Sequence, residues 1–310
     1  MSLENNYHNF TSGNLPKAEY IRKNYEETHC RLFELASFLH KTEISNIEIK
    51  DHQVTMTYRK NGMRLLCEVN EFRTAPIETI NFLQYEEEEV FVFNELLRNK
   101  KLLFDIGGNI GFYAVYAATM HPELCIETFE PVPKMFSTLS KNIEINSLQS
   151  RVKAINIGFS DSEGSVSFYV YPFGGTNASM INVSDSIDAK EVISRVTKLD
   201  NYLHNKNQYP DIIKCDVEGA EKLVLMGGLE SIKKAKPVLF FELLRKWSAK
   251  YNYHPNEVLD KLRELGYECF VPLKGKLKLF SLVNDDTIET NFFFLHKNAH
   301  KHHISELVIL

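Results

Sequence analysis

Ten residues, LLFDIGGNIG from Leu102 to Gly111, constrain this chain more than any other stretch. An apolar run ends there in an acid, and three glycines follow before a helix-like segment. About twenty residues on, IETFEP from Ile126 to Pro131 ends a second apolar run in another acid. This is the sequence form of a nucleotide-binding βαβ unit. Leu102, Leu103 and Phe104 suit a buried parallel strand, while Gly107, Gly108 and Gly111 permit a tight turn and a close backbone approach. Glu130 ends the second strand, where its carboxylate can accept hydrogen bonds from both hydroxyls of an adenosine ribose.

The glycine pattern departs from that of a dinucleotide site. Gly107, Asn109 and Gly111 give D-x-G-x-N-x-G, whereas a dinucleotide fingerprint reads G-x-G-x-x-G and turns a helix N-terminus toward a pyrophosphate. Asp105 stands where a phosphate would approach, and its charge repels one. A cationic ligand end is favoured instead, which points to S-adenosylmethionine, a donor with a sulfonium, an ammonium and no phosphate. The plain structural alternative is a flavodoxin-like domain in which Asp105 caps a helix. Acids at both strand ends weigh against it.

A chain of 310 residues is long enough to bury a substantial core, as one catalytic domain with an appendage or as two small domains. Lys and Arg total 36 against 41 Asp and Glu, and no long basic stripe is present to follow a phosphate backbone, so nucleic acid is not an expected partner. The five cysteines, Cys30, Cys67, Cys125, Cys215 and Cys269, are odd in number and scattered, which reads as reduced residues rather than a disulfide framework or a zinc site. The opening residues MSLENNYHNF lack a basic and apolar leader pattern, and no apolar run reaches the length of a membrane span, so a cytoplasmic location is expected.

Residues 17–41 carry apolar groups at a mostly helical spacing, expected as one helix or a broken pair. Residues 44–69 alternate instead, with Asn61 and Gly62 between two alternating runs as a hairpin signal. Glu86 to Asn99 reads as a helix whose leading glutamates suit the positive end of its dipole. From Lys101 the pattern alternates strand and helix, the mark of a doubly wound, mostly parallel α/β sheet. Strands are expected at 102–106, 125–129, 152–157, 212–216 and 238–242, with closing strands at 267–273, 276–283 and 291–296. The organisation expected is an N-terminal α+β region over 1–84, a donor-binding domain over 85–297 and a solvated tail over 298–310, whose His300, His302 and His303 are read as tail residues rather than metal ligands. Residues 171–195 show no clear periodicity and include Gly174, Gly175, Thr176, Asn177 and Ser179; a loop of this length is expected to be a lid over the substrate.

A second chemical cluster lies in YPDIIKCDVEGAE, from Tyr209 to Glu221. In a strand, Lys214, Asp216 and, if the extended form continues, Glu218 share one face. At the carboxyl end of a sheet strand that face opens on the ligand crevice. Glu242, ending the strand in VLFFELL, is expected beside Asp216 at the same edge. A hydroxyl is a poor nucleophile until a base or a metal removes its proton, and Asp216, Glu218 and Glu242 can supply either function. The sequence leaves open whether they act as a base or hold a divalent cation. Lys214 is read as an ion-pair partner for a neighbouring acid.

DIGGNIGFY, TFEPVPKMFSTLSKNIEIN, GFSDSEG, DIIKCDVEGAE and KPVLFFE, in this order and at these distances, resemble the FkbM family of S-adenosylmethionine-dependent methyltransferases over roughly Lys101 to Glu242. The resemblance implies a Rossmann-like class I methyltransferase sheet and methyl transfer, usually to a hydroxyl of a sugar or polyketide. Carried over by position, it implies that Asp105, Gly107, Asn109 and Gly111 hold the donor's methionine part and that Glu130 holds the ribose. Ser160 and Asp161 match a segment that approaches the adenine, and Asp216 matches the acid beneath the methyl. Gly108 stands where the family commonly has alanine, a departure expected only to loosen the loop.

The leading expectation is therefore an O-methyltransferase acting on a small-molecule or glycan acceptor, in keeping with polysaccharide biosynthesis. An NAD-dependent oxidoreductase and a non-catalytic module that keeps the cofactor fold are the alternatives. The residues before Lys101 carry no recognised motif, and two roles are open to them: setting substrate choice or making a homo-oligomer.

Overall fold

The computed structural model describes residues 2–171, 178–183, 185–204 and 206–309. Its strands in chain order are β1 (Ile44–Lys50), β2 (Gln53–Tyr58), β3 (Arg64–Cys67), β4 (Leu102–Ile106), β5 (Cys125–Phe129), β6 (Val152–Ile155), β7 (Gly158–Phe159), β8 (Gly164–Val170), β9 (Lys190–Thr197), β10 (Ile212–Cys215), β11 (Val238–Glu242), β12 (Tyr267–Leu273), β13 (Lys276–Phe280), β14 (Asn291–His296) and β15 (Val308–Ile309). Nine of them form the main sheet in the order β15-β13-β12-β14-β11-β10-β4-β5-β6. The five from β6 to β11 are mutually parallel, and β14 joins β11 antiparallel. The chain runs outward from β4 through β5 and β6, then crosses back to β10 and β11. The topological switch point, where such sheets open a crevice at their carboxyl ends, thus lies between β4 and β10.

This is the doubly wound, mostly parallel α/β sheet expected from the alternating pattern. All five residues of β4 are buried, as a strand covered on both faces requires. Leu103, Ile212, Phe240 and Phe293 pack on one side of the sheet, whereas Phe104, Phe129, Phe241 and Phe294 pack on the other. The same period of two puts Asp105, Lys214, Asp216 and Glu242 on the first side. The residues before Lys101 cover that side: Ile44, Met56, Met63, Leu65 and Phe93 belong to one continuous buried cluster with Leu103, Val115 and Phe240.

The N-terminal sheet has two turns. Asn61 and Gly62 close β2 on β3 as the dipeptide signalled, while β1 and β2 are joined at Asp51 and His52, both left-handed (φ 49° and 63°). Two asparagines spaced i, i+4 on the helix Pro133–Ile145 and at its end dock this sheet. Asn142 accepts from the Leu66 amide at 2.8 Å and donates to the Ile110 carbonyl at 2.7 Å; Asn146 accepts from the Arg64 amide at 2.9 Å and donates to its carbonyl at 2.7 Å. Asn142 therefore links the N-terminal region to the glycine loop's last turn.

Two expectations need correction. Residues 190–197 are a strand, β9, pairing with β7 and β8 in a second three-stranded sheet, so the expected aperiodic segment is shorter than its sequence implied. Residues after 297 are not a solvated tail: Lys301–Leu307 is a helix, β15 adds to β13, and His300 and Leu307 are buried. Val308 and Ile309 extend the sheet edge at β13. The residue pair Gly174 and Gly175, with Thr176 and Asn177, lies outside the described residues; Ser179 lies inside them.

Candidate active site

The glycine loop is shaped by the strand beside it. Gly107 (φ 77°) packs against the end of β10 so closely that a Cβ there would lie 1.7 Å from the Asp216 carbonyl oxygen. Only glycine allows that approach together with that backbone angle. A Cβ on Gly108 would lie 2.1 Å from Thr128 Oγ1 and 3.2 Å from Asp105 Oδ2. The absent methyl at Gly108 does not loosen the loop; the Thr128 hydroxyl fills its place and donates to Asp105 at 2.9 Å.

Four of the loop amides are bonded within the protein. Gly107 and Gly108 donate to the Phe129 carbonyl at 3.0 and 2.9 Å, Asn109 donates to Glu130 Oε2 at 2.9 Å, and Gly111 donates to the Gly108 carbonyl at 2.7 Å. A pyrophosphate would need these same donors. The four amides and the nearby acids together disfavour a dinucleotide.

Glu130 is buried, with its second oxygen accepting from the Val132 amide at 2.8 Å. Burial pushes its carboxyl up to about 7, against the pull of the two amides. Asn156 holds the carbonyls of Glu130 and Pro131 at 2.7 and 2.9 Å, a brace with no sequence signal of its own. Glu130, Gly107, Asn109, Asp216 and Glu218 line one cavity, with Phe168 and Ala178 opposite. Ala178 belongs to the expected lid segment.

An adjoining cavity shares Gly107, Asn109 and Asp216 and holds Asp105 and Lys214. Asp105 is fully buried, and burial raises its pKa against the opposing pull of Lys214 and Thr128. Lys214 Nζ donates to Asp216 Oδ2 at 3.0 Å and stands 3.9 Å from Asp105 Oδ1, over the Tyr113 ring at 5.0 Å. Burial alone would lower its pKa, but Asp216 and Asp105 outweigh that and raise it. Lys214 is thus an ion-pair partner and no base. Tyr113 in turn donates to Glu86, the left-handed residue before the helix Glu87–Leu96, and burial pushes Glu86 up to about 7. Sequence reasoning placed Glu86 in a solvated acidic run; the Tyr113 contact and its electrostatic coupling to Asp216 and Lys214 bring it to the site's margin.

Asp216, Glu218 and Glu242 converge. Each offers a carboxylate oxygen, and these oxygens all lie within 4.8 Å of one another at the ends of β10 and β11. Glu218 is left-handed (φ 54°) in the turn after β10, so its side chain meets Asp216 through the turn and not through continued extension. Burial, then the neighbouring charge of Asp216, raises the pKa of both Glu218 and Glu242 well above the ordinary range. Such a group can serve as a proton acceptor near neutrality, or as part of a divalent cation's ligand set. Ser179 Oγ donates to the Glu218 carbonyl at 2.9 Å and lies 2.7 Å from the Tyr251 hydroxyl, tying the end of the expected lid to this turn. Glu221 braces the same turn: its carboxylate accepts from the amides of Val217 and Gly219 at 3.0 and 3.1 Å and from Tyr253 at 3.2 Å.

Ser160 and Asp161 do not line either cavity. The Ser160 amide donates to the Thr197 carbonyl at 3.0 Å, and its carbonyl packs where a Cβ on Gly227 would come within 2.1 Å. The turn therefore faces the helix Glu221–Gly227, and Pro131 and Phe168 border the Glu130 cavity instead.

The sequence profile of the methyltransferase FkbM domain matches residues 105–269, more than half of the chain. The chain belongs to the FkbM methyltransferase family. Methyltransferase sdnD of Sordaria araneosa is 28% identical to it over 159 residues, covering 42% of this chain and 61% of that protein. Methyltransferase 1 of Beauveria bassiana is 30% identical over 143 residues, covering 40% and 57%. Hexuronic acid methyltransferase AglP of Haloferax volcanii is 26% identical over 161 residues, covering 52% and 63%. This FkbM-family chain thus spans about three fifths of the length of these relatives. No helix among its described residues is long and apolar enough to cross a membrane.

Proposed function

We propose that this FkbM-family chain is an S-adenosylmethionine-dependent O-methyltransferase whose acceptor is a hydroxyl on a sugar, a glycan or a similar hydroxylated metabolite. The carrying observation is the meeting of Asp216, Glu218 and Glu242 at the switch point, next to a glycine loop of which four amides are already bonded within the protein. Family membership supports methyl transfer. The hexuronic acid acceptor in the printed name of one relative supports a sugar.

Fit to the donor rests on this chain's own groups. Glu130 would hold the ribose hydroxyls with the remaining lone pairs of its two oxygens, and Gly107 and Asn109 would line the donor's path. Asp105 and Asp216 give the adjoining cavity two carboxylates to face a sulfonium and an ammonium, beside the cations Lys214 and Arg73. The bound donor would supply an electrophilic methyl group. Glu218 or Glu242, each with a raised pKa, would take the acceptor's proton as its oxygen attacks. Burial and the neighbouring charge of Asp216 raise both carboxyls, which makes each a stronger proton acceptor once ionised. Lys214 would hold Asp216 in place through its 3.0 Å bond to Oδ2. The segment from Ala178 to Val183 would shield the reacting atoms through its bond to the Glu218 turn.

The test is transfer of labelled methyl from S-adenosylmethionine into hexuronic acids, neutral hexoses and their oligosaccharides. Label in a hydroxyl ether, lost in Glu242→Gln while donor affinity is kept, is the expected result. Absence of transfer to every hydroxylated acceptor with intact donor binding would refute the acceptor class. Loss of activity after exhaustive EDTA, restored by Mg2+, would assign the carboxylates to a cation instead of a base.

A further inference from the structure

A further cavity forms where the N-terminal region meets the helix Phe112–Met120. Tyr58, Tyr85, Phe91, Phe112 and Tyr116 wall a space of about 160 Å³. Three of these rings gather on Phe112: Tyr58 tilted at 5.8 Å, Tyr85 edge-on at 4.7 Å and Tyr116 stacked at 6.1 Å. Tyr85 and Phe112 also line the cavity of Asp105 and Asp216, so the two spaces share a wall. Burial, then the charges of Glu86, Asp216 and Glu242, pushes the Tyr85 hydroxyl well above its ordinary pKa, which sets this ring within electrostatic reach of the carboxylate cluster.

Size and chemistry together limit what this pocket can take. Pockets for whole ligands run from about 300 Å³ upward, so this one suits a single ring whose remainder lies elsewhere. The walls are aromatic. Around them Lys60, Gln84 and Glu87 are exposed, with side chains that make no hydrogen bond or ion pair among the described residues. Tyr116 is buried, and its hydroxyl has no partner among the described residues. A buried hydroxyl left alone is costly, and a ligand oxygen would relieve it. A pyranose ring meets these demands, because its C–H face packs on aromatic rings while its hydroxyls both donate and accept, as a lysine, an amide and a carboxylate require. A planar aromatic ring would use the walls and leave the polar groups idle. We propose that this pocket binds a sugar ring adjoining the one that is methylated, so that the acceptor is an oligosaccharide and not a free monosaccharide. This rests on the sugar-hydroxyl reading above and names the acceptor's size and its second contact.

The test is labelled methyl transfer by the full chain to hexuronic acids and neutral hexoses, each supplied as monosaccharide, as disaccharide and as phenyl glycoside. The disaccharide of an accepted sugar should exceed its monosaccharide by about 10-fold or more in kcat/KM, chiefly through KM. Tyr116→Phe removes only the partnerless hydroxyl and should lower that ratio about 3- to 10-fold. Phe91→Ala, at a wall position 44% exposed, should lower it to a similar extent. Tyr116→Phe breaks no hydrogen bond of the fold, so it still reports on the pocket should the Phe91 variant not fold. A fall in the ratio in either variant supports the pocket. A ratio near one in the parent, or one that neither variant changes, overturns it while the sugar reading stands. A phenyl glycoside that matches the disaccharide and is indifferent to Tyr116→Phe overturns it in favour of an aromatic aglycone. Absence of transfer to every sugar overturns both the pocket and the sugar reading.

Discussion

Removing Lys214 tests the electrostatic logic of the site most directly. In Lys214→Met the fully buried Asp105 loses the cation 3.9 Å from its Oδ1 and keeps only the Thr128 hydroxyl. At an effective dielectric constant of about 20, a pair at that distance is worth roughly 4 kcal/mol. Breaking a buried pair from one side costs about 3–5 kcal/mol, because the remaining charge is left uncompensated. Part of that cost is avoidable by protonation. Burial already raises the Asp105 pKa, and without Lys214 it rises further. An acid whose folded pKa is raised contributes stability below its unfolded value of about 3.9, and loses it as pH climbs through the folded value. The variant's deficit should therefore be smaller at pH 5 than at pH 8, with about 3–5 kcal/mol as its ceiling, measured by urea denaturation of variant and parent at each pH. Lys214→Met/Asp105→Asn should recover most of the loss at pH 8 and remove its pH dependence. A deficit that is flat with pH, or a double variant no more stable than the single, would refute the claim that Asp105 and Lys214 are coupled.

Two other outcomes follow from the geometry. Gly108→Ala should destabilise by about 1–3 kcal/mol, since its methyl would meet Thr128 Oγ1, and the same change should cost at least 1 kcal/mol less in a Thr128→Ala background; additive losses in that thermal or chemical unfolding cycle would contradict the packing. Glu130, with a carboxyl near 7, should bind ribose hydroxyls better once ionised. Affinity for S-adenosylhomocysteine should therefore rise as pH climbs through about 7 and level off above it. Glu130→Gln should bind more weakly and show no such rise, and a parent profile flat from pH 5.5 to 8.5 would remove Glu130 from the ribose.

The main sheet was legible because its strands obey local rules. LLFDI and VLFFE are short apolar runs bounded by turn residues, and the period of two in the strand between them in the sheet already placed Lys214 and Asp216 on one face, with Glu242 expected beside Asp216. β9 was obscured because its alternating KEVISRVT follows an aperiodic stretch, and pairing with β8 rather than composition defines it. The C-terminal histidines read as solvated because nothing local shows that β15 finds an edge at β13. Glu86 was read as one glutamate among four; its bond to Tyr113 spans 27 positions and has no local signature.

The sequence by itself determined the glycine loop, the acids that end three strands and the family to which the chain belongs, since each depends on residue type and short spacing. Tertiary structure decided which groups those residues meet. Only the fold puts Thr128 into the space over Gly108, turns Glu218 back toward Glu242, and lays Arg73 and Tyr85 against the glycine loop. Those contacts join segments far apart in the chain, and their cost or benefit is set by burial and by neighbouring charge. Neither quantity exists until the sheet has closed.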